Sequence, residues 1–316
     1  MQYTPENTIH LEDLDDFVIN MARGLWPRLV LGGMYLEPTN SMNWIKSLYK
    51  ILKMRSKRGP DGKKERLKDK YGNPIDGVTF QLLYYGMQDE NLRSYVPWML
   101  ETIDNLRSLD EKTIKILEDL KYKKGYKLIA ATNKDRVSYD ASAKKFGKKF
   151  TDLFDQVCVA QPGINSPKLQ VFKEFLATTK NLPANYEKLL RQAINVEESD
   201  NIHHIEDPKP SQNYYKRVLD IARHYIGKNI ENVFFTDDKQ KNIDGFHNAF
   251  KDELVNAQGI RFKNPVQLAQ ELVKYGVFSE KDDQTLLDEI GYNGYINQLV
   301  SYGKKLVGSG KPQTQQ

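Results

Sequence analysis

What limits the choice of fold most sharply is an alternation of short apolar runs with helix-length amphipathic stretches, several of the runs ending on an acid or a hydroxyl. Four signatures close or follow such runs, in the order "HLEDLDDFVI", "YKLIAATN", "DPKPSQNYYKRVL" and "NVFFTDDKQKN". Apolar runs too short for helices, separated by helical periodicity, predict parallel strands joined by crossover helices. The expected fold class is therefore α/β: a Rossmann-like, three-layer core around a mostly parallel sheet.

Local signals place the elements. Ile9 to Glu12 reads as a short strand running into the acids Asp13, Asp15 and Asp16. Asp110 is a plausible helix N-cap, Ile114, Leu117 and Leu120 follow at helical spacing, and Gly125 stops the helix before a strand over Tyr126 to Ala131. "DQVCVA" predicts a second such strand, with Cys158 buried in it. "NYYKRVLDIARHYIG" predicts a helix, "NVFFTDD" a strand, "KNIDGFHNAFKDE" a helix, "GIRF" a short strand and "PVQLAQELVKYG" a helix.

Two stretches break the rhythm. Between the first signature and residue 108, "SMNWIKSLYKILKM" puts Trp44, Ile45, Leu48, Ile51 and Leu52 on one helical stripe, and a charged, turn-rich segment follows. Residues 162 to 200 also read as helices spliced into the alternation. The expected organisation is a core of residues 1–22 and 108–275 with that helical insertion at about 162–200. A mainly helical insert occupies 23–107, and C-terminal helices with a mobile tail from Ser309 occupy 276–316.

Chemistry follows from placement. In an open parallel sheet, side chains at the carboxyl ends of neighbouring strands converge on one crevice. Asp13, Asp15, Thr132, Asp237 and Asp238 all take such positions. Clustered carboxylates with no cysteine or histidine set suit a hard, oxygen-liganded cation such as magnesium and not zinc. His203 and His204, close in sequence to Lys209, read as loop residues and not as metal ligands.

The four signatures in this order resemble those of the haloacid dehalogenase superfamily of phosphatases, over roughly residues 7 to 22 and 108 to 275. The segment between the first two resembles the cap domain that many members carry. The resemblance implies a magnesium-dependent phosphohydrolase acting on a small-molecule phosphate ester through an aspartyl-phosphate. It implies Asp13 as nucleophile, Asp15 as the acid and base, and Lys209 as the charge-neutralising lysine. Thr132 and Asn133 would meet the phosphoryl group. Asp13, Asp15, Asp238 and Asp237 form the implied metal set, with Asp238 favoured over Asp237 for direct binding and Asn242 fixing their loop. The chain departs from the pattern at Phe17, where threonine is usual, and at His10 and Glu12, where apolar residues are usual. Retention of Asp13 and Asp15 favours an active enzyme over a degenerate scaffold that binds a partner or phosphorylated ligand through its cap. A response-regulator receiver gathers similar groups, but the order of the signatures and the long insertion disfavour it.

Composition narrows the setting. The single cysteine leaves no internal disulfide, the stretch "MQYTPENTIHLEDLDD" has neither the basic patch nor the apolar core that a signal peptide needs, and no uninterrupted apolar run reaches membrane-spanning length. A cytoplasmic protein without a membrane partner is expected. The net charge of +5 is partly local, since residues 53 to 70 hold nine Lys/Arg against three acids. A solvated cap surface is favoured there over a nucleic-acid site.

Overall fold

The computed structural model describes residues 3–15, 18–20, 49, 67–105, 107–227, 229–292 and 294. Phe17, Trp26, the Trp44–Leu52 stripe save Tyr49, residues 53–66 of the basic run and the tail from Ser309 lie outside the described residues.

Strand β1 (Thr8–Glu12) is followed by the two-residue β2 (Ile19–Asn20), which pairs antiparallel with β3 (Ser108–Leu109). The chain therefore leaves and re-enters the core at one place, and the segment between contains helices α1 (Val78–Gln88), α2 (Glu90–Arg93) and α3 (Val96–Asn105). Helix α4 (Glu111–Glu118) begins where Asp110 caps it, its carboxylate accepting from the Thr113 N–H at 2.8 Å. It ends in a π-helical turn over Asp119–Lys123, and Gly125, at φ +78°, makes the left-handed turn into β4 (Lys127–Thr132).

The remainder alternates. Helices α5 (Arg136–Phe146) and α6 (Lys148–Thr151) lead to β5 (Gln156–Val159), and α7 (Gln170–Thr178) and α8 (Ala184–Ile194) to β6 (Ile202–His204). Helix α9 (Gln212–Tyr225) leads to β7 (Asn232–Asp237), and α10 (Gln240–Phe250) to β8 (Asn256–Arg261). Helices α11 (Pro265–Lys274) and α12 (Gln284–Ile290) complete the described chain.

Six strands form one sheet in the order β6-β5-β4-β1-β7-β8, every pairing parallel. The chain runs outward from β1 through β4, β5 and β6, then returns to β1's other side with β7 and β8. That reversal opens a crevice beyond the carboxyl ends of β1, β4 and β7. Both faces of the sheet are covered. Ile9, Leu11, Ile129, Val233 and Phe235 face α9 and α10, while Leu128, Ala130, Phe234 and Ile260 face α4, α5, α11 and α12. Burial on both faces explains why the central strands read as nearly continuous apolar runs. The architecture is α/β and Rossmann-like, as expected, with a fully parallel sheet.

A third apolar cluster joins the two stretches that broke the rhythm. Phe80, Leu83, Tyr85, Val96, Met99 and Ile103 of the inserted segment pack with Leu169, Phe172, Tyr186 and Leu190 of residues 162–200, and Trp98 lies against them. Gly86 makes this packing possible: a Cβ there would sit 2.6 Å from the Tyr186 ring, whose hydroxyl donates to the Leu83 carbonyl at 2.6 Å.

Two strands differ from expectation. His203 and His204 lie on β6, an edge strand, and not in a loop. Strand β8 starts at Asn256, ahead of "GIRF". Residues 277–292 contribute Val277, Phe278, Leu286, Leu287, Ile290 and Tyr292 to the same core as α4. Among the described residues, no helix is long and apolar enough to cross a membrane.

Candidate active site

Asp13 is the first residue beyond β1. Its N–H donates to the Thr236 carbonyl at 3.0 Å, carrying the β1–β7 ladder one step past the strand and fixing the backbone under the carboxylate. Asp237 ends β7 next door, and Lys209 bridges the two. Its Nζ lies 2.8 Å from Asp13 Oδ1 and 2.7 Å from Asp237 Oδ2, with all three groups buried. A buried ammonium between two buried carboxylates is held by charge as much as by hydrogen bonds, and removing one partner typically costs about 3–5 kcal/mol.

The main chain of Lys209 is fixed by Asn133. The Lys209 N–H donates to Asn133 Oδ1 at 2.8 Å and the Asn133 amide donates back to the Lys209 carbonyl at 3.2 Å. The Lys209–Pro210 peptide is cis. Helix α10 approaches this turn closely, and Gly245 is what allows it, because a Cβ there would meet the Pro210 carbonyl oxygen at 2.5 Å.

Asp237 is fully committed. Both of its oxygens accept from Asn242 Nδ2 at 2.9 Å, and Oδ1 also accepts from the Lys239 N–H at 2.9 Å. Asp238 is only half-buried, with Lys239 Nζ 3.1 Å from one oxygen. Carboxylate oxygens of Asp13, Asp237 and Asp238 all lie within 4.8 Å of one another, the group that could hold a metal ion among the described residues. Asp15 is not a member of that cluster. Its carboxylate is instead 2.5 Å from Lys134 Nζ, a charge-to-charge contact.

Thr132, the last residue of β4, is buried at the same edge. Its hydroxyl oxygen accepts the Lys134 N–H at 3.1 Å, which leaves the hydroxyl hydrogen free to turn to an acceptor. The Tyr214 hydroxyl lies 2.9 Å from the Cys158 carbonyl and 3.2 Å from that of Thr132, its one hydrogen shared between them, which ties the ends of β4 and β5 to α9. The site residues expected from sequence thus gather at one edge of the sheet, but with different partners. Asn133 grips the Lys209 backbone, and Asn242 secures Asp237 as expected. Lys134 was not anticipated, because a lysine two residues past a strand gives no periodic signal.

The charges shape the acids. Burial pushes the Asp13 pKa above the usual carboxylate range; Lys209 opposes that, and Asp237 and Asp15 add to it. Burial would raise Asp15 too, but Lys134, then Arg107 and Lys239, outweigh it and hold the group below its ordinary value. Burial lowers the Lys209 pKa, but the neighbouring Asp13 and Asp237 carboxylates outweigh it and raise the group above its ordinary value. Glu12, one residue before Asp13 on the opposite face of β1, is pushed up to about 8, mainly by burial.

Beside the Lys209 turn, a cleft is lined by Ile75 and Phe80 of the inserted segment, Lys168 and Phe172 of the second insertion, and Glu206 and Pro208. No protein-family model and no curated protein matches this chain.

Proposed function

We propose that the chain is a magnesium-dependent phosphohydrolase of the haloacid dehalogenase type, acting on a small phosphate ester through an aspartyl-phosphate at Asp13. The observation that carries this reading is the buried Lys209 bridge between Asp13 and Asp237, with Asp238 alongside. It pairs a carboxylate nucleophile with fixed positive charge, as attack on an anionic phosphoryl group requires.

The donors suit the metal. They are carboxylate oxygens, the kind of ligand magnesium takes. Asp237 already accepts N–H bonds on both oxygens, so Asp13 and Asp238 would hold the ion directly, with Asp237 orienting the pair. When bound, the ion supplies charge neutralisation across the phosphoryl oxygens and the nucleophile.

The residues then divide the work. Lys209 screens the Asp13 carboxylate from the incoming phosphoryl group. The Thr132 hydroxyl, held at the end of β4, donates to a phosphoryl oxygen. Asp13 bonds to phosphorus as the ester bond breaks, and the leaving oxygen takes a proton from Asp15. An arriving phosphoryl anion favours the protonated form of Asp15 that this half requires. In the second half, water gives a proton to the Asp15 carboxylate and its oxygen bonds to phosphorus. The Asp13–phosphorus bond breaks and phosphate leaves.

The test is phosphate release from a panel of small phosphate esters. Wild-type protein should turn over at least one ester with magnesium and lose that activity in EDTA. Asp13→Asn should reduce it to background while remaining folded. Ligand binding without any release would instead support a scaffold that has lost turnover, and activity in Asp13→Asn would remove the nucleophile.

A further inference from the structure

We propose that Lys134 is a positioning residue, whose ammonium fixes the Asp15 carboxylate beside the nucleophile; this role rests on the phosphohydrolase reading above. The side chain of Lys134 is 1% exposed while that of Asp15 is 34% exposed, so a buried ammonium meets a carboxylate that is only partly withdrawn from solvent. Taking an ammonium out of water costs several kcal/mol unless a charge repays it, and Asp15 at 2.5 Å is the ion-pair partner seen here.

The lysine's own backbone is held on both sides. Its N–H donates to the Thr132 hydroxyl, and its carbonyl accepts the Ala160 N–H at 2.9 Å. The next residue, Asp135, caps α5 through the Ser138 N–H at 2.9 Å. The ammonium is therefore presented from a fixed main chain, between the hydroxyl meant for the phosphoryl group and the acid meant for the leaving group. Asp15, by contrast, lies beyond the end of β1, where an isolated bridge to Ile19 is the backbone pairing that holds it. A general acid acts only from within hydrogen-bond reach of the leaving oxygen, so holding its carboxylate in place bears directly on that half of the reaction.

The experiment compares an alkyl phosphate with p-nitrophenyl phosphate, whose leaving group departs without needing a proton. The readout is kcat/KM, which covers the steps through transfer to Asp13. Lys134→Met should lower it by about 100-fold on the alkyl ester and by less than about tenfold on the aryl ester, and Lys134→Arg should restore the alkyl reaction to within about tenfold. Equal losses on both esters, no loss on either, or a folded Lys134→Arg no better than Lys134→Met would overturn the assignment. If Lys134→Met does not fold, Lys134→Gln, which keeps a polar end without the charge, decides by the same comparison. Wild-type protein inactive on both esters would sink the hydrolase reading itself, and this role with it.

Discussion

His10 and Glu12 occupy the same face of β1, fully buried, 3.8 Å apart, where hydrocarbon would be the simpler choice. They do not form an ion pair, because burial holds His10 down at about 3 and Glu12 up at about 8, leaving both neutral between those values. His10 stacks on Phe234 with centroids 4.8 Å apart and meets Tyr126 edge-on, so it packs as an aromatic ring. The pH consequences have opposite signs. A histidine with a depressed folded pKa contributes stability that is whole above 6.5 and is lost, at about 1.4 kcal/mol per pH unit, as pH falls from there towards 3. A carboxyl with a raised folded pKa contributes stability that is whole below 4.5 and is lost as pH rises from there towards 8. His10→Phe should therefore gain on wild type progressively below pH 6.5, and Glu12→Gln progressively above 4.5, in denaturant titrations without metal. A stability difference that stays constant with pH would contradict both. At this scale the sequence marks Asp13, Asp15, Thr132, Asp237 and Asp238, because each closes or follows an apolar run, whereas Lys209 enters only through the resemblance of its signature. The sequence did not reveal Lys134, whose partner is distant in the chain, nor that Asn133 serves the backbone of Lys209.

The elements that were legible are those with two buried faces or a strong amphipathic stripe. Strands β1, β4, β5 and β7 fall within a residue or so of their apolar runs, and α4 begins at the capping aspartate the sequence marks. Strand β6 was missed because "IHH" has neither an apolar run nor alternation. Strand β8 was under-read because an edge strand tolerates the polar start "NAQ". Asp135 joins two elements that the sequence keeps far apart. One oxygen caps α5, and the other accepts the Thr79 N–H at 3.3 Å, at the start of α1 in the inserted segment. Gly77 turns there at φ +80°, where a Cβ would lie 3.0 Å from the same oxygen. Asp135→Ala removes a cap from each helix and leaves a buried N–H without an acceptor, so a loss of roughly 2–4 kcal/mol is expected in urea titration. A loss below about 0.5 kcal/mol would show that the double cap carries no stability.

Across the whole molecule, the decisive step is the return of the chain to β1 after three strands on one side. It sets the end of β7 beside the end of β1, and with them two acid clusters more than two hundred residues apart in sequence. The order of strands was not written in any single segment; it follows from how the crossovers close. The two insertions, read separately from sequence, share one apolar cluster and line one cleft beside Lys209. On the proposed reading, this convergence makes Asp13 a phosphoryl acceptor. Acid quenching of the working reaction with magnesium and a turned-over phosphate ester, followed by peptide mass spectrometry, tests it most directly. A phosphoryl adduct on Asp13, absent from Asp13→Asn, is the predicted result; phosphate release at full rate with no adduct at that residue would contradict the account.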